Sequence, residues 1–144
     1  MVDFPLLWGD HDAFGHVNNT VYLRWCETAR VEYLRRIALW QEREGHGLGP
    51  IVASIAVDYH RPVTYPDRVR VSARVTRIGN SSFQMDHLVV SDALGATAAS
   101  VTSVLVVYDY DARKPVPMPA AVRESIERLE GRVFEAAGQR GNSR

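Results

Sequence analysis

Trp8-Gly9-Asp10-His11-Asp12-Ala13-Phe14-Gly15-His16-Val17-Asn18-Asn19 sets two carboxylates, two imidazoles, two glycines and two asparagines in one stretch, and a helical pattern begins where it ends. A helix start carries unpaired backbone N–H groups and a partial positive charge. An acidic loop beside it can bring a carboxylate and oxyanion-binding donors to one spot. Asn18 or Asn19 is a natural N-cap, because its side-chain oxygen accepts from the first free amides.

Working outward, Tyr22, Trp25, Cys26, Ala29, Tyr33 and Ile37 recur at helical spacing from Thr20 to about Trp40, with Arg24, Glu32 and Arg35 off that stripe. Val21, Leu23, Leu34 and Ala38 widen the apolar face, so the helix should be contacted over much of its girth. Phe4 to Trp8, on the other side, reads as a short edge strand admitting Pro5. Glu42 to Pro50 is a polar, glycine-rich loop.

From Ile51 to Tyr110 the chain alternates with period two. Ile51, Ala53, Ile55, Val57 and Tyr59 form one row. Val69, Val71, Ala73 and Val75 oppose Arg68, Arg70, Ser72 and Arg74, a strand with one wet face. Turns at Gly79-Asn80-Ser81 and Asp92-Ala93-Leu94-Gly95 bound a strand over Phe83 to Ser91. Small and β-branched residues from Ala96 to Asp109 suit a central strand buried on both faces. An amphipathic helix follows from Ala120 to about Ala136, and a tail from Gly138 reads as disordered. One α+β domain over residues 1–137 is expected: four long strands in an antiparallel sheet that curves around the long central helix, with a tail over 138–144.

The 144 residues carry 17 basic and 17 acidic side chains, and the balance argues against a general nucleic-acid or membrane-surface role. Lys114 is the lone lysine. Cys26, the single cysteine, excludes an internal disulfide and falls on the helix's apolar side as buried filler. No basic region followed by an apolar run opens the chain, and no stretch has the length of a membrane span, so a cytoplasmic location is expected. His16, His60 and His87 lack metal-ligand spacing, and no Gly-x-Ser-x-Gly elbow occurs.

Asp10 through Asn19, followed by Tyr22-Leu23 and Glu27-Thr28-Ala29-Arg30, resembles the opening motif of the hotdog-fold acyl-CoA thioesterases, in particular the hydroxybenzoyl-CoA thioesterase-like group. Val57-Asp58-Tyr59-His60-Arg61-Pro62 through Asp67-Arg68-Val69, and Arg77-Ile78-Gly79-Asn80-Ser81-Ser82-Phe83, are similar to that family's next two landmarks. The resemblance implies a hotdog fold, a homodimer or homotetramer with acyl-CoA at the dimer interface, and no metal or organic cofactor. It places the catalytic carboxylate at Asp12 and the carbonyl-polarising N–H at Asn19. Arg61, Arg77, Asn80, Ser81 and Ser82 stand where such enzymes meet the coenzyme's phosphates. His16-Val17-Asn18-Asn19 departs from the hydroxybenzoyl-specific enzyme, so an aryl substrate is not implied.

Thioester hydrolysis needs a carboxylate that attacks or deprotonates water, and N–H donors where the oxyanion develops. Asp12 suits either mode. On spacing alone, Asp10 and Asp12 equally suit loop-capping roles, and Asp10 is read as structural. Gly15 is expected to supply a backbone conformation that a β-carbon hinders. His16 either orients water or the carboxylate, or bonds a backbone group and fixes the loop, the structural role being favoured. Glu27 and Arg30 can pair along the helix, or Arg30 can reach across a dimer interface. The Arg68, Arg70 and Arg74 row reads as a solvated or oligomer-contacting surface. The expected reaction is hydrolysis of an acyl-CoA to the free acid and coenzyme A. The alternatives are an acyl-carrier-protein thioesterase and a non-catalytic acyl-CoA-binding regulatory module.

Overall fold

The computed structural model describes residues 1–12, 14–39 and 46–135. Ala13, the expected helix end at Trp40, residues 42–45 of the expected loop, the expected end of the C-terminal helix at Ala136 and the expected tail from Gly138 lie outside the described residues. The elements in order are β1 (Val2–Pro5), a 3-10 turn (Trp8–Asp10), α1 (Asn19–Arg36), β2 (Leu48–Tyr59), β3 (Arg68–Val71), β4 (Arg74–Ile78), β5 (Ser82–Ser91), β6 (Ala96–Asp109), β7 (Lys114–Pro115) and α2 (Ala120–Glu130). Strands bond in the order β1-β3-β5-β6-β2, with β4 also on β5 and β7 on β6. The pairs β1–β3, β3–β5 and β6–β7 are antiparallel. The chain has the α+β hotdog fold.

Two compact units form. The first comprises Met1–Arg30, Ala56–Ala73 and Asp86–Thr102. Val21, Tyr22, Trp25, Cys26 and Ala29 of α1 join Val69, Val71, Val89, Ala98, Ala99 and Val101 of the strands in one apolar cluster. The Trp25 ring meets Tyr22 edge-on at 5.2 Å and stacks on Phe4 at 6.2 Å. β1 is an edge strand as expected but starts and ends earlier, because Leu6 N–H bonds the Asp67 carbonyl at 3.0 Å and Trp8 winds into the turn. The run expected as one strand from Val69 to Val75 is broken at Ser72–Ala73. Ser72 N–H bonds the Leu88 carbonyl at 3.1 Å while its hydroxyl accepts from Leu88 N–H at 3.2 Å. A side chain thus takes a ladder position and displaces the register, as in a bulge.

The second unit comprises Val31–Ile55, Arg74–Met85 and Ser103–Arg144. Phe83, Met85, Leu105, Val107 and Ile126 are buried in it. α1 stops at Arg36, short of the expected Trp40. Ala38 takes a left-handed φ of 60° there. Leu39 N–H reaches the Leu34 carbonyl at 2.9 Å and Ala38 N–H the Arg35 carbonyl at 3.1 Å. That is a Schellman cap with alanine in glycine's place, and buried Leu34 and Leu39 supply its apolar contact. α2 ends at Glu130, six residues before the expected end at Ala136, because Gly131 at φ 72° donates back to the Glu127 carbonyl at 2.8 Å. Glu130 Oε2 accepts from Tyr33 Oη–H at 2.5 Å and from Val75 N–H at 3.0 Å, joining α2, α1 and β4.

In β2, apolar residues of both alternating rows, Leu48, Ile51, Val52, Ile55 and Tyr59, are exposed in the single chain. β6 buries alternate residues rather than both faces, and its other row is half-buried. Leu23 and Ala38, expected in the apolar stripe, are exposed.

Candidate active site

The stretch before α1 holds no regular period because it folds on itself. Asp10 N–H bonds the Leu7 carbonyl at 2.9 Å, and Asp10 Oδ2 accepts from Leu7 N–H at 2.9 Å. Its Oδ1 meets Arg24 Nη2 at 3.3 Å, so buried Asp10 is fully engaged in holding the turn. His11 and Val17 then form an isolated antiparallel bridge. Asp12 N–H bonds the His16 carbonyl at 2.7 Å, and Asn18 N–H bonds the Asp10 carbonyl at 2.8 Å. The result is a miniature hairpin whose second limb runs directly into α1.

Asp12 stands on the first limb and is exposed. Its Oδ1 accepts from Phe14 N–H at 2.8 Å and His16 N–H at 3.3 Å. This is the loop-capping arrangement, and it uses one carboxylate oxygen. Oδ2 has no hydrogen-bond partner among the described residues. Gly15 closes the turn at φ +78° with nothing within 4 Å of a built β-carbon, so it serves a conformation and not a close approach. Exposed His16 contributes its backbone to the hairpin. Its imidazole bonds no backbone group among the described residues, contrary to the favoured loop-fixing role.

Asn18 is the N-cap: its Oδ1 accepts from Thr20 N–H at 2.9 Å and from Thr20 Oγ1–H at 2.8 Å. Val21 N–H bonds the Asn18 carbonyl at 3.0 Å. The backbone N–H of Asn19, the first residue of α1, is left with no acceptor among the described residues. The hairpin therefore ends on an available amide at a positive dipole end. Tyr59 arrives from β2, stacked edge-on against Tyr22 at 5.2 Å, with its hydroxyl 3.5 Å from the Asn19 carbonyl.

Sequence reading missed the imidazole of His11. Its Nε2 accepts from Tyr65 N–H at 2.6 Å, and its Nδ1 faces the Trp8 carbonyl at 3.3 Å. Missed too were two polar side chains on buried rows. Arg30 is 6% exposed and His87 1% exposed. Glu27 is exposed and forms no ion pair with Arg30 among the described residues, so the first of the two alternatives for Arg30 is not realised. Burial lowers the Arg30 pKa, against the opposing effects of Cys26 and Glu27. Among the described residues Arg30 Nε and His87 Nε2 have no hydrogen-bond partner, while His87 Nδ1–H donates to the Ser72 carbonyl at 3.0 Å. Asp67, part of a family-like landmark, holds its own surroundings: it accepts from Ser91 Oγ–H, from Arg68 N–H at 2.6 Å and from Ala93 N–H at 2.9 Å.

Of the residues expected near phosphates, Arg61 lies in the first unit with its side chain exposed and its N–H on the Ala98 carbonyl at 3.1 Å. The other four lie in the second unit at the β4–β5 turn. There Gly79 N–H bonds the Ser82 carbonyl at 2.7 Å, and the Asn80 and Ser81 carbonyls accept from Met118 and Val107 N–H groups, both at 2.8 Å. Arg77 and Asn80 side chains are exposed, and Ser81 and Ser82 are half-buried. Among the described residues no three His, Cys, Asp or Glu side chains gather to hold a metal. No helix among them is long and apolar enough to cross a membrane.

The profile described as "Thioesterase-like superfamily" matches residues 6–126. The chain belongs to the thioesterase-like superfamily. It is a thioester hydrolase by that membership and by the relatives that share it. Within the superfamily, a thioesterase of Thermus thermophilus, solved in complex with coenzyme A and Zn, is 41% identical with a TM-score of 0.82, covering 92% of this chain and 95% of that one. The acyl-CoA thioesterase YbgC of Haemophilus influenzae is 28% identical over 131 residues, 88% of this chain and 95% of YbgC. The long-chain acyl-CoA thioesterase FadM of Escherichia coli is 24% identical over 118 residues, 82% of this chain and 89% of FadM.

Proposed function

We propose that this thioesterase hydrolyses an acyl-CoA to the free carboxylic acid and coenzyme A, with Asp12 as nucleophile or general base and the Asn19 N–H polarising the thioester carbonyl. The observation that carries the proposal is the miniature hairpin: among the described residues, one limb holds a carboxylate whose Oδ2 has no partner, and the other ends on the Asn19 amide, which has no acceptor. A thiolate leaves readily, so one carboxylate and one preorganised donor are sufficient machinery, and no metal or organic cofactor is assigned a step. The Asx-turn bonds to Oδ1 fix the carboxylate's orientation without consuming the second oxygen. Gly15 lets the turn close, and His16 beside it is left for orienting water. The acyl-CoA names of two relatives and the coenzyme A complex of a third support the substrate class.

The coenzyme's phosphates are assigned to Arg61 and to the Arg77, Asn80, Ser81 and Ser82 turn, where arginines and hydroxyls suit planar anions. The working assembly is a homodimer or a pair of them, supported by the exposed apolar row of β2 at the end of the strand order. The chain is placed in the cytoplasm. The test is turnover on a panel of acyl-CoA esters, with the same acyl groups on acyl-carrier protein, comparing wild type with Asp12→Asn. Loss of about 10²–10⁴-fold in kcat with retained folding is expected. Equal turnover in both proteins removes Asp12 from the mechanism. A ligand that raises Tm yet is recovered intact from wild type would favour a binding module.

A further inference from the structure

Beside Asp12, His11 makes two bonds that together settle its protonation. A backbone carbonyl cannot donate and a backbone N–H cannot accept. Nδ1, facing the Trp8 carbonyl at 3.3 Å, therefore carries the proton, and Nε2, receiving Tyr65 N–H at 2.6 Å, carries the lone pair. The ring is neutral in this geometry. It also lies in an aromatic group, with Trp8 at 5.6 Å and Tyr65 at 5.9 Å, while Trp8 and Tyr65 meet edge-on at 5.4 Å. Three segments converge on one imidazole: the Trp8 turn, the first limb of the hairpin and the chain entering β3.

We infer that His11 is a positioning residue that holds the Asp12 limb in register for hydrolysis, and that its Tyr65 bond works only while the ring is neutral. This rests on the reading of Asp12 given above. The His11↔Val17 bridge is a single isolated pair, so the limb has little sheet of its own to hold it. The bonds of Asp12 itself are internal to the hairpin; the second limb is placed on the rest of the first unit by Val17 N–H on the Val63 carbonyl at 2.9 Å. The tie from Nε2 to the Tyr65 amide supplies the placement of the first limb, the one that carries Asp12. A proton on Nε2 would turn the acceptor into a second donor facing an N–H, and the tie would be lost. The titratable groups around the ring are Asp10 and Asp12 on its own limb, His16 on the facing limb, and the Tyr65 phenol and Asp67 from the segment beyond. Asp10 is taken up by Leu7 and Arg24, Asp12 Oδ1 by loop amides, and Asp67 by Ser91, Arg68 and Ala93. Among the described residues, each charge near the ring except those of Asp12 Oδ2 and His16 is thus already engaged.

The experiment compares wild type, His11→Gln and His11→Phe on one acyl-CoA, with kcat and KM measured across pH. Glutamine can set an acceptor near the Nε2 position and does not titrate. Phenylalanine keeps the ring packing and cannot accept. The expected result is a loss of about tenfold in kcat for His11→Phe with KM within about twofold, and near wild-type kcat for His11→Gln. The acid limb of the wild-type kcat profile should lie at higher pH than that of His11→Gln, where only the remaining acids titrate. A wild-type kcat in His11→Phe, or coincident acid limbs for wild type and His11→Gln, overturns the inference. If His11→Phe fails to fold, the acid-limb comparison alone decides. If Asp12→Asn turns out fully active, the Asp12 reading has failed by itself, whatever these profiles look like.

Discussion

At the scale of single residues, the Asn19 amide is open to a clean chemical deletion. Proline is tolerated at the first helical position, where its missing N–H removes nothing from the helix ladder. Asn19→Pro should leave Tm within a few degrees and lower kcat by about 10²–10³-fold, the usual cost of one oxyanion donor. An unchanged kcat in a folded Asn19→Pro protein takes that amide out of the reaction. His87 carries a different consequence. Burial, with the positive charge of Arg30 adding to it, holds the ring down to about 4, against the Ser72 carbonyl bond that raises it. The unfolded chain therefore takes up a proton first. The stability that this provides is complete above about pH 6.5 and is lost as pH falls toward the folded value, at about 1.4 kcal/mol per pH unit. Urea midpoints at neutral and acidic pH should drop more steeply for wild type than for His87→Leu, and equal slopes would dismiss the account. Neither buried polar residue was legible beforehand. Periodicity marks which row faces inward when the row is apolar, and it is silent where Arg30 or His87 occupies such a row. Asp12 was legible only as a choice between capping and chemistry, and the structure realises the capping on one oxygen.

At the scale of elements, the strands were the readable part. Alternation located β5 and β6 to within a residue or so, because one inward row must be apolar. The breaks were not readable. A serine hydroxyl replacing a ladder bond interrupts β3 and β4, yet Ser72 sits in step with the surrounding pattern. The end of α1 escaped for a related reason: Ile37, Ala38, Leu39 and Trp40 continue an apolar run, and no glycine marks the left-handed position. Ala38 stands at φ 60°, a conformation that costs an L-residue with a β-carbon about 1–2 kcal/mol. Ala38→Gly should raise the unfolding free energy by about 1 kcal/mol after the entropy of a freer unfolded chain is subtracted. A lower urea midpoint would mean that the Schellman bonds do not form as described. The hairpin preceding α1 follows the same logic, since it is built from backbone bonds and one glycine rather than from any repeating side-chain pattern.

At the scale of the whole molecule, β2 decides what a single chain leaves unfinished. Leu48, Ile51, Val52, Ile55 and Tyr59 are exposed along a strand that ends the sheet order, a combination that favours pairing with another edge. The proposed assembly through this edge predicts that wild type scatters light as an oligomer and that Ile51→Glu with Ile55→Glu is a monomer, with a marked fall in turnover if the acyl site needs both copies. A wild-type monomer of full activity would leave that face without a role. The fold itself was legible in advance because three family-like landmarks occur in order.

Cys26 offers a practical return on its burial. Its sulfur is shut inside the first unit's core, and desolvation lifts the thiol to about 11, well away from the thiolate form that reagents attack. No second cysteine competes for label. A thiol probe added to the native enzyme should therefore modify it only when the core opens, so the labelling rate becomes a built-in clock for conformational opening, readable by mass on unmodified protein.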